Sequence, residues 1–223
     1  MISALTFDGW GALVDVAGGV RSYVTEVLSR PMPSRYQQAD ERPTVTVDNW
    51  LREFWRLERE LRTPFRPRRE HLVRAFDATM VHFGLEAFLD NGPGLARRYG
   101  EWAPRPGASS LLRRLARRYR LGLIVDADAD TTAALLGNLA APFSLVVASE
   151  DLAAYKPDAA LFTAALTRLG LPAGDVAHVA ADESLDLQPA RALGMRSAHI
   201  SDDASLARLS EALIAGDQSV LDL

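Results

Sequence analysis

Short apolar runs bounded by turn residues alternate with longer amphipathic stretches over much of the chain. The runs fall at "LTF" (5–7), within "RLGLIVDADAD" (120–130), at "SLVVASE" (144–150), within "DVAHVAADE" (175–183) and at "RSAHI" (196–200). Runs of this length and flanking read as strands. Between the later ones lie helical patterns: "DTTAALLGNLA" (130–140), "DAALFTAALTRLG" (158–170) with Gly170 as its stop, and "LQPARALG" (187–194). Strands that are apolar on both faces, alternating with helices, predict an α/β fold with a parallel sheet covered on both sides. Residues 16–102 have no strand pattern. There "VDNWLREFWRLERELR" (47–62) sets Trp50, Phe54, Leu57 and Leu61 on one helical stripe, and "EHLVRAFDATMVHFGL" (70–85) and "GLARRYGEW" (94–102) continue in that style. A polar, proline-bearing loop, "RPMPSRYQQADERP" (30–43), is expected to be mobile. An all-helical module at 16–102 is thus inserted between the first strand (1–15) and the rest of the sheet (103–223).

Composition narrows the function classes. The chain has 223 residues, enough for one domain carrying an insertion, and its 48% hydrophobic and 24% charged residues suit a globular protein with a core. It has no cysteine, which removes disulfides, thiolate catalysis and Cys-based zinc sites. A net charge of −4 gives no reason to expect nucleic acid or an anionic membrane as partner. No secretory leader pattern and no apolar run near the ~20 residues of a membrane span occur, so a cytoplasmic protein acting on a small molecule is expected. Oligomeric state is not read. His71, His82, His178 and His199 lack metal-ligand spacing, His178 falling within a strand, and none is given a role. Arg52, Arg56, Arg59, Arg62, Arg66, Arg68, Arg69 and Arg74 make the inserted module locally basic. They read as solvated helix faces paired with Glu53, Glu58, Glu60 and Glu70. Trp50, Phe54, Trp55 and Phe76 read as the module's core.

Ligands in open α/β sheets bind at the carboxyl ends of the strands. The positions to inspect are therefore Asp8, Val125-Asp126, Lys156 and Ala181-Asp182. An aspartate there can act as a nucleophile, forming an ester or acyl-phosphate that water opens. A nearby lysine would keep it ionised. The same residues also suit helix caps and solvated pairs, so spacing alone leaves both readings open.

Four segments in order resemble the haloacid dehalogenase-like hydrolase superfamily. They are "LTFDGWGALVDV", "RRYRLGLIVDADAD", "VVASEDLAAYKPDAALFTAALTRLG" and "AHVAADESLDLQPARALGMRSAHI". The resemblance implies a Rossmann-like core with a helical cap that closes over the site and selects the substrate. It places Asp8 as nucleophile and Lys156 as the lysine that steadies it, with Trp10, Val125, Asp126 and Asp186 at substrate-binding positions. It also exposes departures. Trp10 stands where the phosphatase branch has a second, proton-donating Asp and the dehalogenase branch an aromatic, usually Tyr. Ala12 replaces the usual Thr of the first motif. Val125 replaces the Ser or Thr that binds substrate phosphate or carboxylate. A gap-free fourth motif puts Ala181 at the magnesium-binding position. A one-residue shift would instead make Asp182 a ligand together with Asp8. The gap-free register is preferred because the flanks match on both sides, so the cofactor expectation is none, or Mg2+ if the shift holds.

The leading expectation is an atypical hydrolase of this superfamily acting through Asp8, not a standard Mg2+-dependent phosphatase. The alternatives are a repurposed or catalytically degenerate member with metal-free or binding function and, more weakly supported, a 2-haloacid dehalogenase.

Overall fold

The structure, a computed structural model, describes residues 1–31 and 45–222. Most of the proline-bearing stretch at 30–43 lies outside the described residues. Two compact units are formed, one by Met1–Asp15 with Trp102–Leu223 and the other by Val16–Glu101.

The first unit is built on a parallel sheet of five strands among the described residues. These are β1 (Ala4–Phe7), β2 (Arg120–Val125), β3 (Phe143–Ala148), β4 (Val176–Ala180) and β5 (Arg196–His199), in the spatial order β3-β2-β1-β4-β5. The second unit contains α1 (Val16–Ser29), α2 (Val47–Glu60), α3 (Arg68–His82) and α4 (Gly92–Glu101). The remaining helices belong to the sheet unit: α5 (Ala108–Leu115), α6 (Ala129–Leu139), α7 (Ser149–Leu152), α8 (Ala159–Leu169), α9 (Gln188–Ala192) and α10 (Asp203–Ala215). The fold is thus α/β, a Rossmann-like parallel sheet with helices, together with an all-helical insertion.

Burial explains the strand pattern. β1 and β4 are buried at every position, so neither shows polar alternation. Ala4 of β1, Ile124 of β2 and Val176 of β4 pack with Leu161, Phe162 and Ala165 of α8 in one apolar cluster. Helix α8 is bounded by local chemistry: the Asp158 carboxylate accepts the Ala160 N–H at its start, and Gly170, at φ +63°, ends it. The chain runs outward from β1 to β2 and β3, then returns to lay β4 on the other side of β1. That reversal opens a crevice at the carboxyl ends of β1 and β4. Asp8, Asp126 and Ala181 each follow directly on a strand there.

The helical unit corrects several sequence expectations. Trp50 stacks on Phe54 at 5.1 Å and meets Phe76 at 5.4 Å, all three fully buried, whereas Trp55 is only partly buried. The buried face of α2 is Trp50, Leu51, Phe54 and Glu58, and Leu57 and Leu61 are only partly covered. Glu58 is therefore no solvated partner. It is 2% exposed, pairs with Arg62 at 2.9 Å and with Arg68, and lies 3.3 Å from His71. Burial alone would raise its pKa, but Arg68, His71 and Arg62 together hold it well below the usual carboxylate range. The Arg56–Glu60 and Arg66–Glu70 pairs lie toward solvent as expected, whereas Glu53, the other partner of Arg56, is largely covered. Glu58→Gln should cost about 3–5 kcal/mol of stability, because it strands the buried Arg68 charge. Urea unfolding monitored on the module's tryptophans checks this.

Candidate active site

Asp8 extends the sheet by one step, its N–H donating to the Val179 carbonyl at 2.9 Å. The chain then turns sharply, with Gly11 N–H on the Val14 carbonyl and Val14 N–H on the Gly9 carbonyl, both at 2.9 Å. Two glycines are needed for different reasons. A Cβ on Gly9 would lie 2.6 Å from Leu135 Cδ2 and 3.0 Å from Val125 Cγ1. Gly11 has φ +135°, and a Cβ there would sit 3.0 Å from Asp8 Oδ2 and 3.2 Å from Ala181 Cβ. Arg105 closes the turn from outside, donating to the Gly11 carbonyl at 3.0 Å and pairing with Asp203 at 2.8 Å.

Lys156 reaches Asp8 from the loop between α7 and α8. Its backbone N–H is held by Asp126 Oδ1 at 3.0 Å, which fixes the loop between α7 and α8. Its Nζ then donates to Asp8 Oδ1 and to Asp186 Oδ1, each at 2.6 Å. Asp186 lies in a single π-helical turn, Glu183–Leu187, that links β4 to α9. Asp8, Lys156 and Asp186 are 5%, 3% and 2% exposed, so they interact in a low-dielectric setting. Burial is the largest influence on Asp8 and, with the charges of Asp186 and Asp126, pushes its pKa up to about 7 against the opposing pull of Lys156. Burial would lower Lys156, but Asp186, Asp8 and Asp126 together hold it above its usual value and charged. Asp186 is buried too, yet Lys156 and His178 bring its carboxyl below the usual value. Asp8 Oδ2 accepts no hydrogen bond among the described residues and lies beside Gly11.

The other positions singled out in the sequence have definite places. Trp10 is 8% exposed and bridges to Val14 across the turn, so its position carries no carboxyl. Val125 is fully buried against Gly9. Ala181 follows directly on β4, its methyl beside Gly11 and its carbonyl 3.1 Å from His199 Nε2. Asp182 turns to the backbone, where Oδ1 accepts the N–H groups of Ser184 at 2.9 Å and Leu185 at 3.0 Å as the cap of the π turn. Sequence reasoning passed over Thr6, His178 and Arg105. Only pairing between segments distant in sequence brings them to the site, although a histidine inside an otherwise apolar strand was a signal.

Magnesium requires several hard oxygens in near-octahedral array. Here Ala181 offers only a methyl, beside Gly11, Asp182 Oδ1 caps backbone, and Asp186 Oδ1 holds Lys156 and His178. Among the described residues no group of three or more His, Asp or Glu side chains is placed to hold a metal ion. The donor set does not fit the ion.

Comparison with known proteins sets this geometry in context. A stretch 46% identical over 54 residues, 24% of this chain, matches "Haloacid dehalogenase-like hydrolase domain-containing protein 3" of Danio rerio, of whose length it spans 22%. The fold is similar to that of the L-2-haloacid dehalogenase of Xanthobacter autotrophicus, with TM-score 0.70 and 22% identity over 97% of this chain and 84% of the other. It is also similar to that of the putative HAD-hydrolase YfnB from Bacillus subtilis bound to magnesium, with TM-score 0.71 and 16% identity over 94% of this chain and 99% of the other. The model of the haloacid dehalogenase-like hydrolases matches residues 2–194. The chain belongs to the haloacid dehalogenase-like hydrolase family.

Proposed function

We propose that this hydrolase cleaves a small organic substrate by attack of Asp8 on a carbon atom whose leaving group departs without a proton, a halide being the simplest case. The observation that carries the reading is the asymmetry of the Asp8 carboxylate: Oδ1 is tied to Lys156 at 2.6 Å, while Oδ2 accepts no hydrogen bond among the described residues. Oδ2 attacks the carbon, the carbon–halogen bond breaks, and halide leaves with the electron pair. Water then adds to the Asp8 ester carbonyl, and cleavage of the acyl–oxygen bond releases the alcohol and restores the carboxylate.

Phosphate-ester chemistry is less well supported. An alkoxide leaving group needs a proton donor, and Trp10 occupies the position two residues after Asp8. The indole N–H donates hydrogen bonds but is no acid near neutral pH. The Lys156 charge is already shared by Asp8 and Asp186, leaving little to offset a phosphate dianion. The dehalogenase named among the structural neighbours agrees with attack on carbon but lends only its fold. Halide release from 2-haloacids and neutral haloalkanes, assayed beside phosphate esters with and without Mg2+, tests the proposal. Halide release unaffected by Mg2+ is expected. Robust Mg2+-dependent phosphate release would overturn it, and turnover of neither class would favour a catalytically degenerate member.

The pH dependence carries a sign. Asp8 must be ionised to attack, and its pKa lies near 7, so kcat/KM should rise through that pH and fall about tenfold per unit below it. Asp186→Asn removes a negative charge that raises Asp8, so the limb should move to lower pH. The pH profiles of the two proteins check this.

A further inference from the structure

His178 lies at the centre of β4, fully buried, with Phe162 of α8 edge-on to its ring at 5.3 Å. It stands directly opposite Thr6 of β1 in the parallel register, so both side chains share one face of the sheet. Thr6 Oγ1 is 2.9 Å from His178 Nδ1, and His178 Nε2 is 3.1 Å from Asp186 Oδ1.

The direction of each bond can be worked out. An ionised Asp186 can only accept, so Nε2 carries the hydrogen. Burial holds the imidazole below its usual pKa, and the Lys156 charge acts in the same sense, although Asp186 opposes both. The ring is therefore neutral, Nδ1 is an acceptor, and the Thr6 hydroxyl is the donor. Asp186 Oδ1 then takes two donors, His178 Nε2–H and Lys156 Nζ–H, and Lys156 passes on to Asp8 Oδ1. A continuous hydrogen-bonded chain links Thr6, His178, Asp186, Lys156 and Asp8, with Asp186 accepting from both of its neighbours and Lys156 donating to both of its own.

We propose that Thr6 and His178 form a positioning device that acts through Asp186 to set how firmly Lys156 engages Asp8. The hydrogen bond from His178 satisfies part of the Asp186 charge and fixes the orientation of that carboxylate. Without it Asp186 would draw Lys156 toward itself and away from Asp8. The charged groups facing Asp8 are Lys156 from the loop before α8, Asp186 from the π turn and Asp126 after β2. The histidine reaches Asp8 only through the first two. Its relevance to catalysis rests on the reading of Asp8 as nucleophile, but the geometry can be tested without turnover.

The experiment uses the full-length protein labelled with 15N on lysine and histidine and with 13Cγ on aspartate, followed by NMR. In the wild type, the imidazole nitrogens should report a neutral ring protonated at Nε2 at about pH 7.5, and the Lys156 ammonium should exchange slowly. In His178→Leu the ammonium should exchange at least about fivefold faster, and the Asp8 carboxyl should titrate about half a pH unit higher as Lys156 withdraws. His178→Gln, which retains an N–H donor, should restore most of both. Thr6→Val, close in shape, should shift both in the same direction by less, and it carries the test if His178→Leu does not fold. Wild-type exchange and titration in the Leu variant, or in the Val variant where the Leu variant is unfolded, would overturn the proposal. So would a wild-type ring protonated at Nδ1 or on both nitrogens. Activity of Asp8→Asn tests the underlying nucleophile separately, so each idea can fail alone.

Discussion

Asp8→Asn is expected to abolish halide release, by ~10,000-fold or more, in a protein that remains folded. Asparagine matches aspartate in shape, and its Oδ1 can still accept from Lys156 Nζ, which also keeps Asp186 as partner. What disappears is the anionic oxygen beside Gly11. An amide is a far poorer nucleophile than a carboxylate, and the neighbouring carboxylates have partners of their own. Asp186 is turned to Lys156 and His178, Asp182 to the backbone of the π turn, and Asp126 to the Lys156 N–H. Circular dichroism establishes the fold, and halide release read against the wild type gives the loss. Retention of a tenth of the activity would show that Asp8 does not carry the reaction.

Lys156→Gln should be the second most damaging change, with a loss of ~1,000-fold at pH 7. Burial already pushes Asp8 up to about 7 with Lys156 in place. Without the ammonium, Asp8 and Asp186 face each other buried and uncompensated, and the Asp8 pKa should rise by a further ~1–3 units. Part of the rate should therefore return as pH is raised toward 9, which distinguishes lost ionisation from lost structure. Stability carries a sign as well. A carboxyl whose pKa is higher in the folded than in the unfolded state favours the fold while protonated, and that contribution is lost as pH rises through the folded value. The variant should thus melt closer to the wild type at pH 5 than at pH 8, as thermal unfolding at the two values will show.

How much of this was legible beforehand depends on the distance over which each feature is encoded. The sheet was legible because buried parallel strands are near-continuous apolar runs: β2, β4 and β5 fall within the runs read as strands, and β1 and β3 each begin one residue before theirs. The run at 144–150 ends earlier than expected, at Ala148, because Ser149 begins a helical turn. Asp8 and Lys156 could be nominated as strand-end residues in family motifs. That they meet at 2.6 Å across 148 residues is a property of the fold. The fourth motif was ambiguous by one residue, because a one-residue slip exchanges a methyl for a carboxylate at one position. In the structure the Ala181 methyl lies beside Gly11, while Asp182 caps the following turn. Glu58 was misjudged because periodicity finds apolar stripes and cannot reveal a buried acid whose partners, Arg68 and His71, lie on the next helix. Thr6 and His178 were hidden for a similar reason, since only the pairing of β1 with β4 sets them opposite each other.

The central claim is that Asp8 becomes covalently attached to the substrate. A single turnover in H2 18O, with enzyme in excess over a 2-haloacid or haloalkane that it dehalogenates, tests this most directly. The account predicts that 18O enters the Asp8 carboxylate, detected by mass spectrometry of the peptide containing residues 5–16, and that the product alcohol carries unlabelled oxygen. Labelled alcohol with an unlabelled Asp8 would contradict it, because water would then have attacked the carbon directly.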